Sequence, residues 1–146
     1  MTLPASVRAE VDAAVAGLGA GPIVRAEGVG GGCVSPVARV EGSGGERWFL
    51  KWAAPEHPDG LLAAEAEGLR TLAATGTVRV PSVVAAAPRW LLLEWLEPGA
   101  ADDASWRRLG ADLAALHRHR GEAWGAPADN FIGPLPQANG PAAGWP

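Results

Sequence analysis

Glu46-Arg47-Trp48-Phe49-Leu50-Lys51-Trp52-Ala53 is the stretch from which the rest of the chain is read. Apolar and aromatic side chains fill both faces of this short run, the pattern of a strand inside a sheet. Lys51 stands in its middle and is the only lysine in the sequence; the other eleven basic residues are arginines. In a chain also rich in Ala, Gly and Pro, which writes its ordinary cations as Arg, a retained lysine points to a position where chemistry requires one.

An ammonium placed in an apolar strand needs a partner, because an unpaired buried charge costs several kcal/mol. The stretch that follows offers one. From Gly60 to Ala74 the residues Leu62, Ala66, Leu69, Leu72 and Ala73 recur at steps of three and four, the period of a helix packed on a core. Glu65 lies on that stripe, whereas Glu67 points elsewhere, so a Lys51–Glu65 ion pair is expected. The alternative is a Lys51 that snorkels from a sheet edge while Glu65 is solvated at the margin of the stripe.

Upstream, Val7, Val11, Ala14, Val15 and Leu18 share one face of an amphipathic opening helix from about Pro4 to Leu18, with Pro4 at its first turn and Gly19 as its stop. A short strand, Ile23 to Glu27, leads into Gly28-Val29-Gly30-Gly31-Gly32-Cys33-Val34-Ser35, and a second strand follows at Val37 to Val40. Glu41-Gly42-Ser43-Gly44-Gly45 then turns the chain into the lysine strand. Glycines let backbone N–H groups approach a phosphate with no Cβ in the way, although a Gly-rich hairpin tip alone is most often a flexible turn. Context separates the nucleotide motifs. A dinucleotide fingerprint needs a helix straight after the glycines, and here a strand follows; a Walker A loop needs Gly-Lys-Ser/Thr, and Lys51 is followed by Trp52. A hairpin tip over phosphates, a lysine one strand later and a helix glutamate after that is the nucleotide lobe of a kinase.

Downstream, Thr75-Gly76 stops the helix and Val78 to Pro81 resumes extended structure. Val83 to Ala87 and Trp90 to Leu96 suit an antiparallel pair turned at Pro88-Arg89. In the kinase reading, backbone groups of Glu94, Trp95 and Leu96 form the hinge that meets an adenine edge; a plain buried strand ending in a turn is the competing reading. Asp102 or Asp103 can cap a further helix carrying Trp106, Leu109, Gly110, Leu113 and His117 at helical spacing and stopping at Gly121. His117 on such a stripe is more often a core histidine than a ligand. From Glu122 to Pro146 the chain reads as loop.

The composition bounds the function. With 146 residues, 48% hydrophobic and 19% charged, the chain can bury a core and is neither disordered nor a membrane span. A net charge of −4 argues against a general nucleic-acid binder. One cysteine excludes an internal disulfide and suits a reducing compartment; with no secretory signal read at Met1 to Arg8, a cytoplasmic protein is expected. Three histidines and one cysteine form no metal constellation of recognised spacing.

These residues resemble the fructosamine/ketosamine-3-kinases, relatives of aminoglycoside phosphotransferases with a protein-kinase-like fold. The match runs from about Glu27 to Trp145. Gly30-Gly31-Gly32-Cys33-Val34-Ser35 is similar to the family's glycine loop, Trp48-Phe49-Leu50-Lys51 to its lysine strand and Glu65-Ala66-Glu67-Gly68-Leu69 to its helix glutamate. More specific are Leu109 to His117 and Asp129-Asn130-Phe131-Ile132-Gly133-Pro134-Leu135-Pro136-Gln137-Ala138-Asn139, the latter nearly a family signature. The resemblance implies an α+β fold: a protein-kinase-like N-lobe over residues 1–93, then a hinge and the start of a helical C-lobe over 94–146. It also implies ATP-dependent phosphorylation of the C3 hydroxyl of a small-molecule or protein-bound ketosamine. Gly30, Gly31, Gly32, Cys33, Val34 and Ser35 would lie over the phosphates, Lys51 on the α/β-phosphates with Glu65 fixing it, and Glu94, Trp95 and Leu96 at adenine. Asp129 to Asn139 carries family identity and no assigned role beyond support at the lobe junction.

The sequence departs from the family in lacking its His-Gly-Asp catalytic loop and the asparagine and aspartate that hold Mg2+. His57-Pro58-Asp59 has a superficial likeness but lies between the lysine strand and its helix. No catalytic base is therefore expected within the chain; base and Mg2+ ligands are expected beyond Pro146, with the 146 residues an inactive N-terminal part that binds ATP weakly or not at all. A non-catalytic nucleotide-binding or interaction module, or another kinase-like small-molecule phosphotransferase, are the alternatives. Cys33, in a loop whose N–H groups favour a thiolate, is a candidate for a redox-linked dimer, or simply a small residue chosen for fit.

Overall fold

The computed structural model describes residues 1–30 and 34–144. Its elements are α1 (Ala5–Gly17), β1 (Ile23–Gly28), β2 (Val37–Gly42), β3 (Arg47–Trp52), α2 (Leu61–Ala74), β4 (Val83–Ala87), β5 (Trp90–Glu94), α3 (Asp103–Leu116), β6 (Asn130–Ile132) and β7 (Leu135–Gln137). The first five strands form one antiparallel sheet in the order β1-β2-β3-β5-β4, so the lysine strand is central. Chain between β3 and the edge strand β4 carries α2 across one face of the sheet, and β5 then inserts between them.

Alternation along β3 explains the two layers packed on it. Trp48, Leu50 and Trp52 join Val7, Val11 and Val15 of α1 in one cluster with Ala38, Val40, Trp90 and Leu92. On the other face Leu62 and Ala66 of α2 pack with Leu91 and Leu93, and Phe49 lies against them. A side chain such as Leu50, fully buried at 0% exposure, contributes about 2 kcal/mol by removal from water. The indole of Trp90 donates from Nε1 to Glu10 Oε2 at 2.7 Å, fastening α1 to the sheet.

Several boundaries differ from those read in the sequence. Pro4 is the N-cap of α1 rather than its first turn, and Leu18, expected on the apolar face, is exposed. Strand β5 ends at Glu94, so Trp95 and Leu96 lie beyond the sheet. Asp102 is the cap of α3, accepting from the Ser105 backbone N–H at 2.8 Å, and the helix ends at Leu116, before Gly121. Helix α3 buries no residue; Trp106, Leu109, Leu113 and His117 are exposed, so His117 is not a core histidine. The stretch after Glu122, expected to be loop, contains the β6–β7 hairpin, paired from Asn130↔Gln137 to Ile132↔Leu135 around Gly133 and Pro134. Gly133 has φ +56°, a left-handed conformation that glycine adopts without strain.

Candidate active site

Lys51 and Phe49 alternate with the buried indoles of β3, which turns both toward α2. Strand-to-helix packing then decides the partner of the ammonium. Leu62 and Ala66 face the sheet, and Glu65, one helical turn beyond Leu62, is carried to the same side. Lys51 Nζ donates to Glu65 Oε2 at 2.6 Å. Glu67 instead pairs with Arg70 at the surface.

The pair opens on a cavity of about 320 Å³ lined by Val34, Ser35, Lys51, Glu65, Asn130 and Gly133 among others. Ser35 is buried, 2% exposed, and its hydroxyl has no hydrogen-bond partner among the described residues. A buried hydroxyl without a partner costs free energy. A second cleft, about 440 Å³, is walled by Val29, Gly30, Phe49, Leu93, Glu94, Trp95 and Leu96 with two prolines and is largely apolar. Phe49 and Lys51 are two residues apart on one face of β3, about 7 Å along the strand. The two spaces are therefore neighbours, one largely apolar and walled in part by Val29 and Gly30, the other lined by the Lys51–Glu65 pair with Val34 and Ser35 from the far side of the glycines.

Position 95 is held from β2. The Arg39 guanidinium lies 5.7 Å from the centroid of the Trp95 ring and is itself bound to Glu27 at 2.6 Å. Trp95 Nε1 is buried with no hydrogen-bond partner among the described residues. Glu94 accepts from Arg79 at 2.5 Å and from the Ser82 backbone N–H at 3.1 Å. The Arg79 hydrogen bond, followed by that from Ser82, holds the Glu94 carboxyl below its ordinary value. The Glu94 carboxylate thus anchors the end of β5 and leaves the cleft to backbone and indole.

Of the residues singled out in the sequence, Lys51, Glu65, Val34 and Ser35 meet at the cationic cavity, and Gly30, Glu94, Trp95 and Leu96 at the apolar cleft. Gly31, Gly32 and Cys33 lie outside the described residues. His57-Pro58-Asp59 is a fastened turn: Arg89 donates to Asp59 Oδ1 at 2.9 Å and to the Ala54 carbonyl at 2.6 Å. Among the described residues no group of three or more His, Cys, Asp or Glu side chains is arranged to hold a metal ion, so no step is assigned here to Mg2+. Two contributors escaped sequence reading. Arg39 gave no signal beyond its alternation in β2; Asn130 stood in a motif whose family identity was legible and whose position was not.

The model of the family described as fructosamine kinase matches residues 12–146. The chain belongs to the fructosamine kinase family. Relatives include a probable ketoamine kinase of Synechocystis, 38% identical over 122 residues, which covers 80% of this chain and 41% of that protein. A probable ketoamine kinase of Thermus thermophilus is 44% identical over 63% of this chain and 34% of its own length. Crystal structures provisionally designated fructosamine-3-kinases superpose closely. The Thermobifida fusca protein has a TM-score of 0.80 at 33% identity, over 96% of this chain and 48% of that one. The Haemophilus somnus protein has a TM-score of 0.81 at 25% identity, over 92% and 48%. The chain thus spans less than half the length of these fructosamine kinase relatives, and over that span it has their mixed α+β, kinase-like fold.

Proposed function

We propose that residues 1–93 act as the nucleotide-binding N-lobe, and 94–146 as the hinge and the start of the C-lobe, of an ATP-dependent ketosamine 3-kinase. The observation that carries this reading is the Lys51–Glu65 pair, set at 2.6 Å beside a cavity that Val34, Ser35 and Asn130 also line. That donor set suits the phosphates of ATP, and the apolar cleft between Phe49 and Leu96 suits adenine. Glu65 holds the ammonium on one oxygen and leaves its remaining hydrogens for the α/β-phosphates, where positioning and charge are the main catalytic resources.

In this reading the acceptor is the C3 hydroxyl of a fructosamine or ribulosamine, free or protein-bound, and the setting is the cytoplasm, where deglycation would take place. The base and the Mg2+ ligands come from chain outside these 146 residues. The test joins this chain to the part of the Thermobifida fusca relative that follows the matched region and supplies MgATP and a fructosamine. Mass spectrometry should detect sugar phosphorylated at C3 from the chimera, none with Lys51→Ala in it, and none from the 146 residues alone. A folded chimera that binds ATP yet leaves ketosamines untouched would replace this reading with a non-catalytic module or a different acceptor.

A further inference from the structure

The β6–β7 hairpin follows α3 in the chain, yet it packs on α2 and closes the cationic cavity on the side away from the apolar cleft. Asn130, Phe131 and Gly133 line that cavity together with Ser35, Lys51 and Glu65. Asn130 is held in a defined orientation: its Oδ1 accepts from Asn139 Nδ2 at 2.7 Å, and the same Nδ2 reaches Gln137 Oε1 at 3.1 Å. Three amides thereby fix one another, with Asn139 tied further by its backbone N–H to the Gln137 carbonyl at 3.0 Å and its carbonyl to the Ala126 N–H at 2.6 Å. Because its oxygen is engaged, what Asn130 has left to offer is its two N–H donors, which make no hydrogen bond among the described residues.

We propose that Asn130 is a phosphate-binding residue, donating from Nδ2 to the terminal phosphoryl group of the bound nucleotide. This rests on the nucleotide-binding reading above. Two observations converge on it: the oriented and unspent amide donor, and the Lys51 ammonium, held by Glu65, lining the same cavity. Asn130 shares the cavity with Lys51 and does not line the apolar cleft, so it stands at the phosphate end of a nucleotide rather than at its base. A donor there compensates charge on the transferable group, and as a neutral amide it does so without competing with Lys51 for Glu65.

The experiment is an NMR titration of the 15N-labelled chimera described above with adenosine, ADP, ATP and inorganic tripolyphosphate, following the side-chain amide pair of Asn130 and the backbone amide of Leu96. ATP and tripolyphosphate should move the Asn130 pair, adenosine should move only Leu96, and ADP should move Asn130 less than ATP does. Asn130→Asp keeps an oxygen for Asn139 and replaces the donor by a negatively charged acceptor, so it should weaken ATP binding about tenfold or more while adenosine binding stays unchanged. If ATP shifts Leu96 but neither the Asn130 pair nor the Asn130→Asp affinity responds, Asn130 is structural and the nucleotide reading stands without it. Should ATP at millimolar concentration move no resonance of the folded wild-type chimera, both readings fall. The wild-type amide shifts decide the matter even if the variant folds poorly.

Discussion

Lys51 Nζ and Glu65 Oε2 lie 2.6 Å apart across the interface of the central strand and the helix packed on it, with side chains 21% and 36% exposed. A pair so placed is neither a fully solvated surface contact nor a sealed ionic core. Its stabilisation is modest, and its value lies in fixing where the ammonium sits.

Lys51→Ala should therefore separate folding from chemistry. Partial exposure limits the loss of stability to about 1 kcal/mol, measured as a shift in urea midpoint at constant slope. In a catalytically complete version of the protein the same change should lower turnover on the order of 100-fold or more, as loss of a preorganised electrostatic contact does. Equal losses in both would mean that the lysine is structural.

Helix α3 presents Trp106 at 62%, Leu109 at 39% and Leu113 at 38% exposure, and none of its residues is buried. An uncovered apolar face of this kind favours self-association. Leu109→Gln with Leu113→Gln should reduce dye binding by the 146-residue chain and shift it toward monomer in sedimentation, with little change in melting temperature. A large drop in melting temperature would show that these leucines are packed.

Glu94 should titrate below its ordinary value of 4.5, because Arg79 and the Ser82 N–H favour its charged form. A carboxyl lowered in the folded state adds stability that is fully present above about pH 4.5 and is lost as pH falls through the folded midpoint. Carbon-detected NMR of the Glu94 carboxyl should show that depressed midpoint, and Arg79→Ala should raise it. An unchanged midpoint in the variant would assign the effect elsewhere.

Cys33 is the only cysteine, so oxidation can yield only an intermolecular bridge, a mixed disulfide or a sulfur oxyacid. We expect a disulfide-linked dimer on non-reducing gels after mild oxidant, absent in Cys33→Ser. Identical dimer content in both proteins would leave Cys33 as a residue of fit alone.

Much of this architecture was legible because its signals are local. A run apolar on both faces with one lysine in it, glycines between two strands, and a three-and-four stripe carrying Glu65 specify strand, loop and helix from neighbours in sequence. They even specify the ion pair, since a buried ammonium and a carboxylate on the facing stripe have few other partners. Boundaries were less legible where the local signal is weak. Trp95 and Leu96 continue an apolar run and yet leave the sheet after Glu94, where the Arg79 and Ser82 contacts end the strand.

The sequence alone thus determined the sheet with its two packed helices, the lysine–glutamate pair and the family. Only the tertiary structure decided where Asp129 to Asn139 lies. Strands of three residues with a proline in one of them carry too little periodicity to be read, and their pairing depends on amide contacts between Asn130, Gln137 and Asn139. That the resulting hairpin reaches back past α3 to α2 and lines the Lys51 cavity is a long-range contact, and no spacing along the chain encodes it. The same holds for α3, whose stripe reads as a core face: periodicity announces that a face is apolar, and only packing reveals whether anything covers it.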